Sequence, residues 1–372
     1  MATISAYQTA QGKRYRVRYR KPDHSQTDKR GFKTKREAEL FAASVEVAKS
    51  RGEFIDATAA RATISSLGSE WIATQSHLKP STARSVDSTW RIHVIPAWGK
   101  RAVGDIRHSE VQAWVTLMAA SKSATTVKRA HGILSSILDR AEKDRRIAAN
   151  PARGVNLPRR SGRKHVYLTH AQVTMLSEQS GEYGTLVRFL AYTGLRWGEA
   201  TALRVRDIDM LRRRVKVSEN AVMVGGTIVV GTPKTHRSRS VPFPPSLSTQ
   251  LAILCEGKGR DSLLFGNGID YVRPSDSRGG WFASAVRKCQ KLDPTFERVT
   301  PHDLRHTTAS LAVSAGANVK AVQRMLGHAS ATMTLDTYAD LFDDDLDAVA
   351  LALDHAGSQA SVGKMWASGE QR

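Results

Sequence analysis

The chain has 372 residues, 41% of them apolar, and carries 56 Lys and Arg against 35 Asp and Glu, a formal charge of +21. That length suits two or three domains and that apolar content excludes a disordered polycation, while self-repulsion on this scale is relieved by a polyanion, so nucleic acid is the expected partner. No apolar run approaches the ~18 residues of a membrane span and Met1-Ala2-Thr3-Ile4 opens no signal segment, so the expectation is a soluble, cytoplasmic chain with no membrane partner.

Residues 1–36 hold eleven basic and two acidic side chains. Tyr15-Arg16-Val17-Arg18-Tyr19-Arg20 alternates with period two, predicting a strand with Arg16, Arg18 and Arg20 on one face and Tyr15, Val17 and Tyr19 on the other. A second strand is expected near Lys29 to Lys33, then a helix from Lys35 to Ser50, capped by Thr34 and closed by Gly52. This module, residues 1–60, reads as a small sheet plus helix. A solvated charge run is the bland reading; Arg and Tyr interleaved on one strand also suit a sheet laid into a DNA groove.

From Ile64 the pattern turns helical. Segments are expected at Ile64 to Gln75, at Ser81 to Val94 with Ser81 as N-cap, at Ser109 to Met118, and at Ser123 to Lys143 with Ser123 as N-cap. On the last, Ala130, Ile133, Leu134, Ile137, Leu138 and Ala141 recur at three and four and predict one buried stripe. Asn150-Pro151 closes this basic bundle, residues 64–155. A linker over 156–165 follows, in which Arg159 and Arg160 sit among Pro, Ser and Gly. A third, mainly helical domain is expected over 166–355, interrupted by a strand-like stretch from Arg213 to Phe243 that turns at Gly225-Gly226, and 356–372 reads as a frayed tail. Cys255 and Cys289 have no His or Cys at metal-ligand spacing and are expected to be reduced and structural. The fold class expected is thus multidomain and mainly α: sheet-plus-helix module, helical bundle, and mixed α+β domain.

Chemistry-bearing residues concentrate in the third domain. Thr300-Pro301-His302-Asp303 predicts a helix start, with Thr300 as N-cap, Pro301 first in the helix and Asp303 where a capping box wants an acid. Helical spacing puts Leu304, Thr308, Leu311 and Ala315 on one side and His302, Arg305 and His306 on the other, so the polar trio is expected to face away from the core. Two His and an Arg at a helix N-terminus make an anion site. His302-Asp303-Leu304-Arg305-His306 superficially resembles a zinc-binding H-E-x-x-H, yet its acid is one methylene short and Arg305 would lie beside the metal. Ala312, Gly316 and Val322 have helix-turn-helix spacing, with Lys320, Gln323 and Arg324 on the would-be reading helix; Gly316 serves equally as a plain C-cap. Thr193-Gly194-Leu195-Arg196-Trp197-Gly198-Glu199 breaks one apolar helix and starts another. Gly231-Thr232-Pro233-Lys234-Thr235 is a turn with Lys234 at its tip, Leu326-Gly327-His328 puts a His past a helix end, and Tyr338 has as its bland reading packing on Leu335 or Phe342.

Taken together and in this order, Thr-Gly-Leu-Arg, the lysine turn, His-Asp-Leu-Arg-His, Leu-Gly-His and a tyrosine ten residues on resemble the tyrosine recombinase (phage integrase) family. The resemblance covers 166–355, extends to 64–155 as the family's core-binding domain, and reaches 1–60 as an arm-type DNA-binding module like those of mycobacteriophage-type integrases. It implies a mixed α+β catalytic domain in which Arg196, Lys234, His302, Arg305, His328 and Tyr338 are catalytic, Tyr338 as nucleophile, with Glu199 in support. His236, Arg237 and Arg239 crowd the same turn as Lys234. It implies site-specific recombination through a 3′-phosphotyrosine that integrates, or excises, phage DNA. A tyrosine ester conserves the phosphodiester energy, two guanidiniums hold the non-bridging oxygens, and Lys234 protonates the leaving 5′ oxygen, so neither metal nor other cofactor is called for. The partners implied are double-stranded attachment sites bound by four protomers on two duplexes, a host DNA-bending protein and an excision factor, with association with the bacterial nucleoid. Arg16, Arg18, Arg20, Arg159 and Arg160 are the expected DNA contacts. The rival functions are a non-catalytic helix-turn-helix regulator and a zinc hydrolase.

One segment runs against the basic trend. Between Asp340 and His355 there are six aspartates and no Lys or Arg, while Leu346, Val349, Ala350 and Leu353 recur at helical spacing. A helix with an apolar stripe is expected there; docking on its own domain is the bland reading, and the family resemblance implies docking on a neighbouring protomer.

Overall fold

The computed structural model describes residues 2–22, 24–56, 58–159, 165–232, 238–276, 278–338 and 353–354. Two compact units divide the chain, residues 1–162 and 163–372. Arg160, Lys234, the tail and the acidic segment after Tyr338, apart from Leu353 and Asp354, lie outside the described residues.

The first unit opens with three antiparallel strands in the order β1 (Thr3–Thr9), β2 (Gly12–Arg20) and β3 (Gln26–Phe32). The period-two pattern sorts β2 as chemistry demands. Val17 is fully buried under α1 (Lys35–Ser50) and Tyr19 meets Phe41 and Phe54 edge-on, at 5.8 and 6.1 Å, while Arg18 and Arg20 stay exposed and Arg16 Nε donates to Ser5 Oγ at 2.8 Å. The third strand starts three residues earlier than expected, because the polar Gln26 to Asp28 pair with β2 (Tyr19 faces Thr27, Arg18 faces Asp28) and the ladder does not require apolar side chains there. Thr34 and Glu37 cap α1 reciprocally, Glu37 N donating to Thr34 Oγ1 and Thr34 N to Glu37 Oε2.

The helical part of this unit comprises α2 (Ile64–Ala73), α3 (Pro80–Thr89), a wider turn over Trp90–Val94 leading into α4 (Ile95–Trp98), α5 (His108–Ala119) and α6 (Ala124–Lys143). The expected stripe on α6 is buried at every position named, beneath Trp90, Trp98 and Val111. Ser81 is not an N-cap. Pro80 takes the first helical position, where its missing N–H costs nothing, and Lys79 precedes it. Nor does packing stop at Asn150. That side chain donates to Ser135 O and Asp139 Oδ1 and accepts from Ala152 N, pinning the next turn so that Ala152 is fully buried and Leu157 packs on the same core.

The second unit contains α7 (His170–Gln179), α8 (Gly184–Thr193), α9 (Trp197–Thr201), β4 (Ile208–Asp209), β5 (Arg214–Val217), β6 (Asn220–Val224), β7 (Thr227–Gly231), β8 (Arg239–Pro242), α10 (Ser248–Cys255), α11 (Trp281–Leu292), α12 (Asp303–Ser314), α13 (Val319–Leu326) and α14 (Ala331–Tyr338). A sheet in the order β4-β5-β8 and a separate β6-β7 hairpin, turning at Gly225-Gly226 with positive φ at both, fill the stretch read as strands. Phe189, Phe265, Phe282, Phe296 and Leu304 belong to one core that unites α8, α11 and α12 with the sheet. Both cysteines are free. Among the described residues no helix is long and apolar enough to cross a membrane.

Candidate active site

Two chain reversals build the site. Helix α8 ends at Gly194, whose φ of +64° places it in the left-handed region; a Cβ there would come within 2.5 Å of Leu326 Cδ2, so only glycine suits the position. The chain then re-enters a helix with Arg196 at the N-cap of α9, as the sequence predicts. Helix α13 ends the same way at Gly327, φ +67°, which releases His328.

Arg305 ties these two turns together. Its Nη1 donates to Gly194 O and its Nη2 to Leu326 O, both at 2.6 Å, and only 3% of the residue is exposed. Burial, and then the charge of Arg196, pulls its pKa down to about 10, which leaves it protonated at neutral pH. Arg196 is partly open to solvent. Its backbone N–H and its Nη1 both donate to Glu199, at 3.0 and 2.9 Å. Glu199 is itself 1% exposed and takes two further bonds from Arg239, Nη1 at 3.0 Å and Nη2 at 2.7 Å. Burial would raise the pKa of this carboxyl, but the Arg239 fork and then Arg196 hold it below the usual carboxylate range. Arg239 completes the link by donating Nε to Met325 O at 3.3 Å.

The expected solvent face of α12 does not exist. From Asp303 to Ala309 every residue is buried, Arg305 and His306 included, and of the polar trio His302 alone is exposed. Helical spacing cannot register a helix packed on all sides, and here α8, α13 and α14 leave no free flank to its first two turns. The helix also begins at Asp303 rather than after Thr300, although the expected capping contact forms: Asp303 Oδ2 accepts from both Thr300 N and Thr300 Oγ1 at 2.7 Å.

Tyr338 is 1% exposed and packs with Ala309, Val322 and Leu326, while Leu335 is exposed and Phe342, the other partner of its bland reading, lies outside the described residues. Its hydroxyl shares a 3.1 Å hydrogen bond with His306 Nδ1, and its ring lies nearly parallel to that of His328, centroids 6.3 Å apart. Burial pushes the phenol up to about 12, opposed by the nearby charge of Arg305. His328 shares a 2.9 Å bond through Nδ1 with Thr334 Oγ1, and its carbonyl accepts from Gln323 Nε2 at 3.1 Å. Gln323 is therefore buried in support of His328, not free to read a base, although Lys320 and Arg324 are exposed. Among the described residues no group of three His, Cys, Asp or Glu side chains is placed to hold a metal ion.

Arg196, Glu199, Arg305, His328 and Tyr338 thus share one network, with His302 on the exposed end of the helix that carries Arg305. The sequence reading missed two members. Arg239 appeared only as a competitor for the role of Lys234, and His306 only as part of a solvent-facing anion site or one end of a zinc-like motif, never beside Tyr338. What marked them was position: Arg239 opens a strand after a cation-rich stretch of sequence, and His306 stands one helical turn beyond His302. Three guanidiniums crowd around a single buried carboxylate, an excess of positive charge that suits a phosphate in a closed site.

Residues 167–344 match the profile of the phage integrase family, and residues 65–156 that of the phage integrase central domain. The chain is 30% identical over 250 residues to an integrase of Mycobacterium phage L5, a match covering 65% of this chain and 66% of that integrase. Among solved structures, the Tn1549 transposon integrase in complex with transposon right end DNA shares the fold with a TM-score of 0.66 at 24% identity, covering 78% of this chain and 100% of that one. A lambda integrase tetramer bound to a Holliday junction does so at 0.55 and 16%, covering 88% and 96%.

The site's histidines predict a pH dependence of stability. His306 is pushed down to about 4 by burial and then by His165 and His302, and His328 to about 4 by burial and then by Arg305 and Arg196. Unfolded, both titrate near ~6.5, so between these values the unfolded chain binds more protons. Their contribution is complete above the unfolded value and is lost as pH falls toward 4, with a slope of up to about 1.4 kcal/mol per pH unit for each group. Thermal unfolding followed from pH 7 to pH 4.5 should show Tm falling, and His306→Asn or His328→Asn should flatten that fall; an unchanged slope in both variants contradicts the assignment.

Proposed function

The chain belongs to the phage integrase family, the tyrosine recombinases of site-specific DNA recombination, and we propose that Tyr338 is its nucleophile and that Arg196 and Arg305 hold the scissile phosphate. The observation that carries this reading is the arginine cluster, in which Arg196 and Arg239 share the Glu199 carboxylate and Arg305 spans two carbonyl oxygens, beside a buried tyrosine. In cleavage the Tyr338 oxygen bonds to phosphorus as the bond to the 5′ oxygen breaks. The phenol loses its proton and the departing oxygen gains one. Lys234 is the proposed donor of that proton, on the strength of its place in the sequence motif. Charge that develops on the non-bridging oxygens falls where the guanidiniums lie, and His302 and His328 add hydrogen bonds to them. Attack by a partner strand's 5′ hydroxyl reverses the step and restores the phosphodiester.

Three units divide the work in this reading: residues 1–60 bind arm-type DNA, residues 64–155 bind core DNA, and residues 166–355 cut and rejoin it. Attachment sites on phage and host chromosomes are the proposed substrates, with a host DNA-bending protein and an excision factor as accessory partners and the nucleoid as place of action. A tetramer on two duplexes is the proposed assembly, supported by the lambda integrase tetramer on its Holliday junction. The helix-turn-helix regulator is not favoured, since Gln323 on its would-be reading helix is buried.

Tyr338→Phe keeps the ring and removes the attacking oxygen. It should bind attachment-site DNA as the parent does, yet form no covalent adduct with a nicked trapping substrate; an adduct in that variant overturns the nucleophile assignment. Arg18 and Arg20, exposed on the sheet, are the proposed phosphate contacts of the first module. Replacing both with Ala should weaken binding to arm DNA and reduce the slope of log K against log salt by about 2, while cleavage of an isolated core site is retained. An unaltered slope in a filter-binding titration contradicts these contacts.

A further inference from the structure

We infer that His306, through its hydrogen bond to the Tyr338 hydroxyl, is the residue that positions the nucleophile. The inference rests on the reading of Tyr338 as nucleophile. A buried hydroxyl requires a partner, and here that partner is His306 Nδ1 at 3.1 Å, with the two rings edge-to-face, centroids 5.6 Å apart and planes at 62°. Both residues are more than nine-tenths buried. Tyr338 lies on α14 with its ring among Ala309, Val322 and Leu326, apolar side chains that hold the ring but offer the hydroxyl no hydrogen bond, so the oxygen is oriented by His306.

His306 is itself held. The ring of His165 lies over it at a centroid distance of 4.1 Å and an angle of 31°, and the ring of His302 meets it edge-on at 5.1 Å and 89°. Just after His165, Leu168 N donates to Thr307 Oγ1 at 3.2 Å and Tyr167 packs on the cluster that contains Tyr338, so this segment is fastened to the same helix. One rigid element, α12, therefore carries His302 and Arg305 toward the phosphate and His306 toward the nucleophile. In-line attack needs the oxygen within ~3–3.5 Å of phosphorus in a narrow range of directions, and registering both reactants on one helix provides that alignment. The groups that face His306 are His165, His302, Asp303 and Arg305, together with Tyr338. Its pKa near 4 leaves it neutral under physiological conditions, so it holds the phenol without setting a further cation beside Arg305.

The test compares full-length parent protein with His306→Phe, His306→Asn and Tyr338→Phe. Phe keeps the ring and drops the polar atom, while Asn returns an amide close to where Nδ1 stood. Two reactions are followed: covalent adduct formation on a nicked attachment site, and ligation of a 5′-hydroxyl strand to a 3′-p-nitrophenyl phosphate end. In the second, the 5′ oxygen bonds to phosphorus and p-nitrophenolate departs, so the phosphate-binding groups act and Tyr338 does not. His306→Phe should slow adduct formation on the order of 100-fold with half-site binding and ligation unchanged, and His306→Asn should recover most of the loss. Adduct formation at the parent rate in His306→Phe overturns the inference, as does a parallel loss of ligation and cleavage in both His306 variants, which would mark a purely structural residue. Adducts in Tyr338→Phe overturn the underlying nucleophile reading instead, so the two failures are told apart.

Discussion

One buried carboxylate fixes two of the three arginines of the site. Glu199 accepts hydrogen bonds from Arg239 through both oxygens and from Arg196 through both its side chain and its backbone. Removing one partner from a buried ion pair costs about 3–5 kcal/mol, because the other charge is left without compensation; that is a large fraction of the 5–15 kcal/mol that holds a typical domain together. The arrangement is nonetheless unbalanced. Among the described residues Arg305 has no carboxylate of its own and is satisfied by two carbonyl oxygens, which supply dipoles but no countercharge. The surplus is felt by the neighbouring side chains: His328, lowered first by burial, is lowered further by Arg305 and Arg196. On the proposed reading a phosphodiester brings the missing negative charge, so binding a ligand and completing the electrostatics of the fold become one event.

Placing that surplus requires backbone more than side chain. Gly194 and Gly327 end two helices in left-handed turns and bring the carbonyls of Gly194 and Leu326 to the two ends of one guanidinium. A side chain at Gly194 would meet Leu326, and one at Gly327 would meet Arg239 at about the same place where that arginine reaches Met325. Fold and site are coupled at these turns. The chain cannot close its core there without also presenting Arg196 at a helix start and His328 at a helix end.

How much of this is legible in the sequence depends on how local each cause is. Period two on Tyr15 to Arg20, the Thr34 cap, the stripe on α6, the Gly225-Gly226 turn and the Arg196 helix start are all set by neighbours a few residues away, and each appears where those neighbours put it. Local reasoning fails where tertiary contacts decide. Spacing gave α12 a solvent face, but the helix is enclosed by segments more than a hundred residues distant in sequence, such as Ala191, which accepts from Thr308. Arg239 and Glu199 meet across forty residues and a hairpin, and no pattern in either segment announces it. His306 was visible as a histidine, but its work is defined by a hydroxyl thirty-two positions on.

The central claim is that the site holds uncompensated positive charge among its described residues, which the scissile phosphate is proposed to neutralise. Titrating the His328 imidazole by NMR measures this, first in the free protein and then in a complex with attachment-site DNA, using Tyr338→Phe so that no cleavage intervenes. The account predicts that His328 titrates near 4 in the free protein and moves upward once a phosphate sits beside Arg196 and Arg305. A free-protein value near the ordinary ~6.5 of histidine, unchanged by DNA, would contradict it.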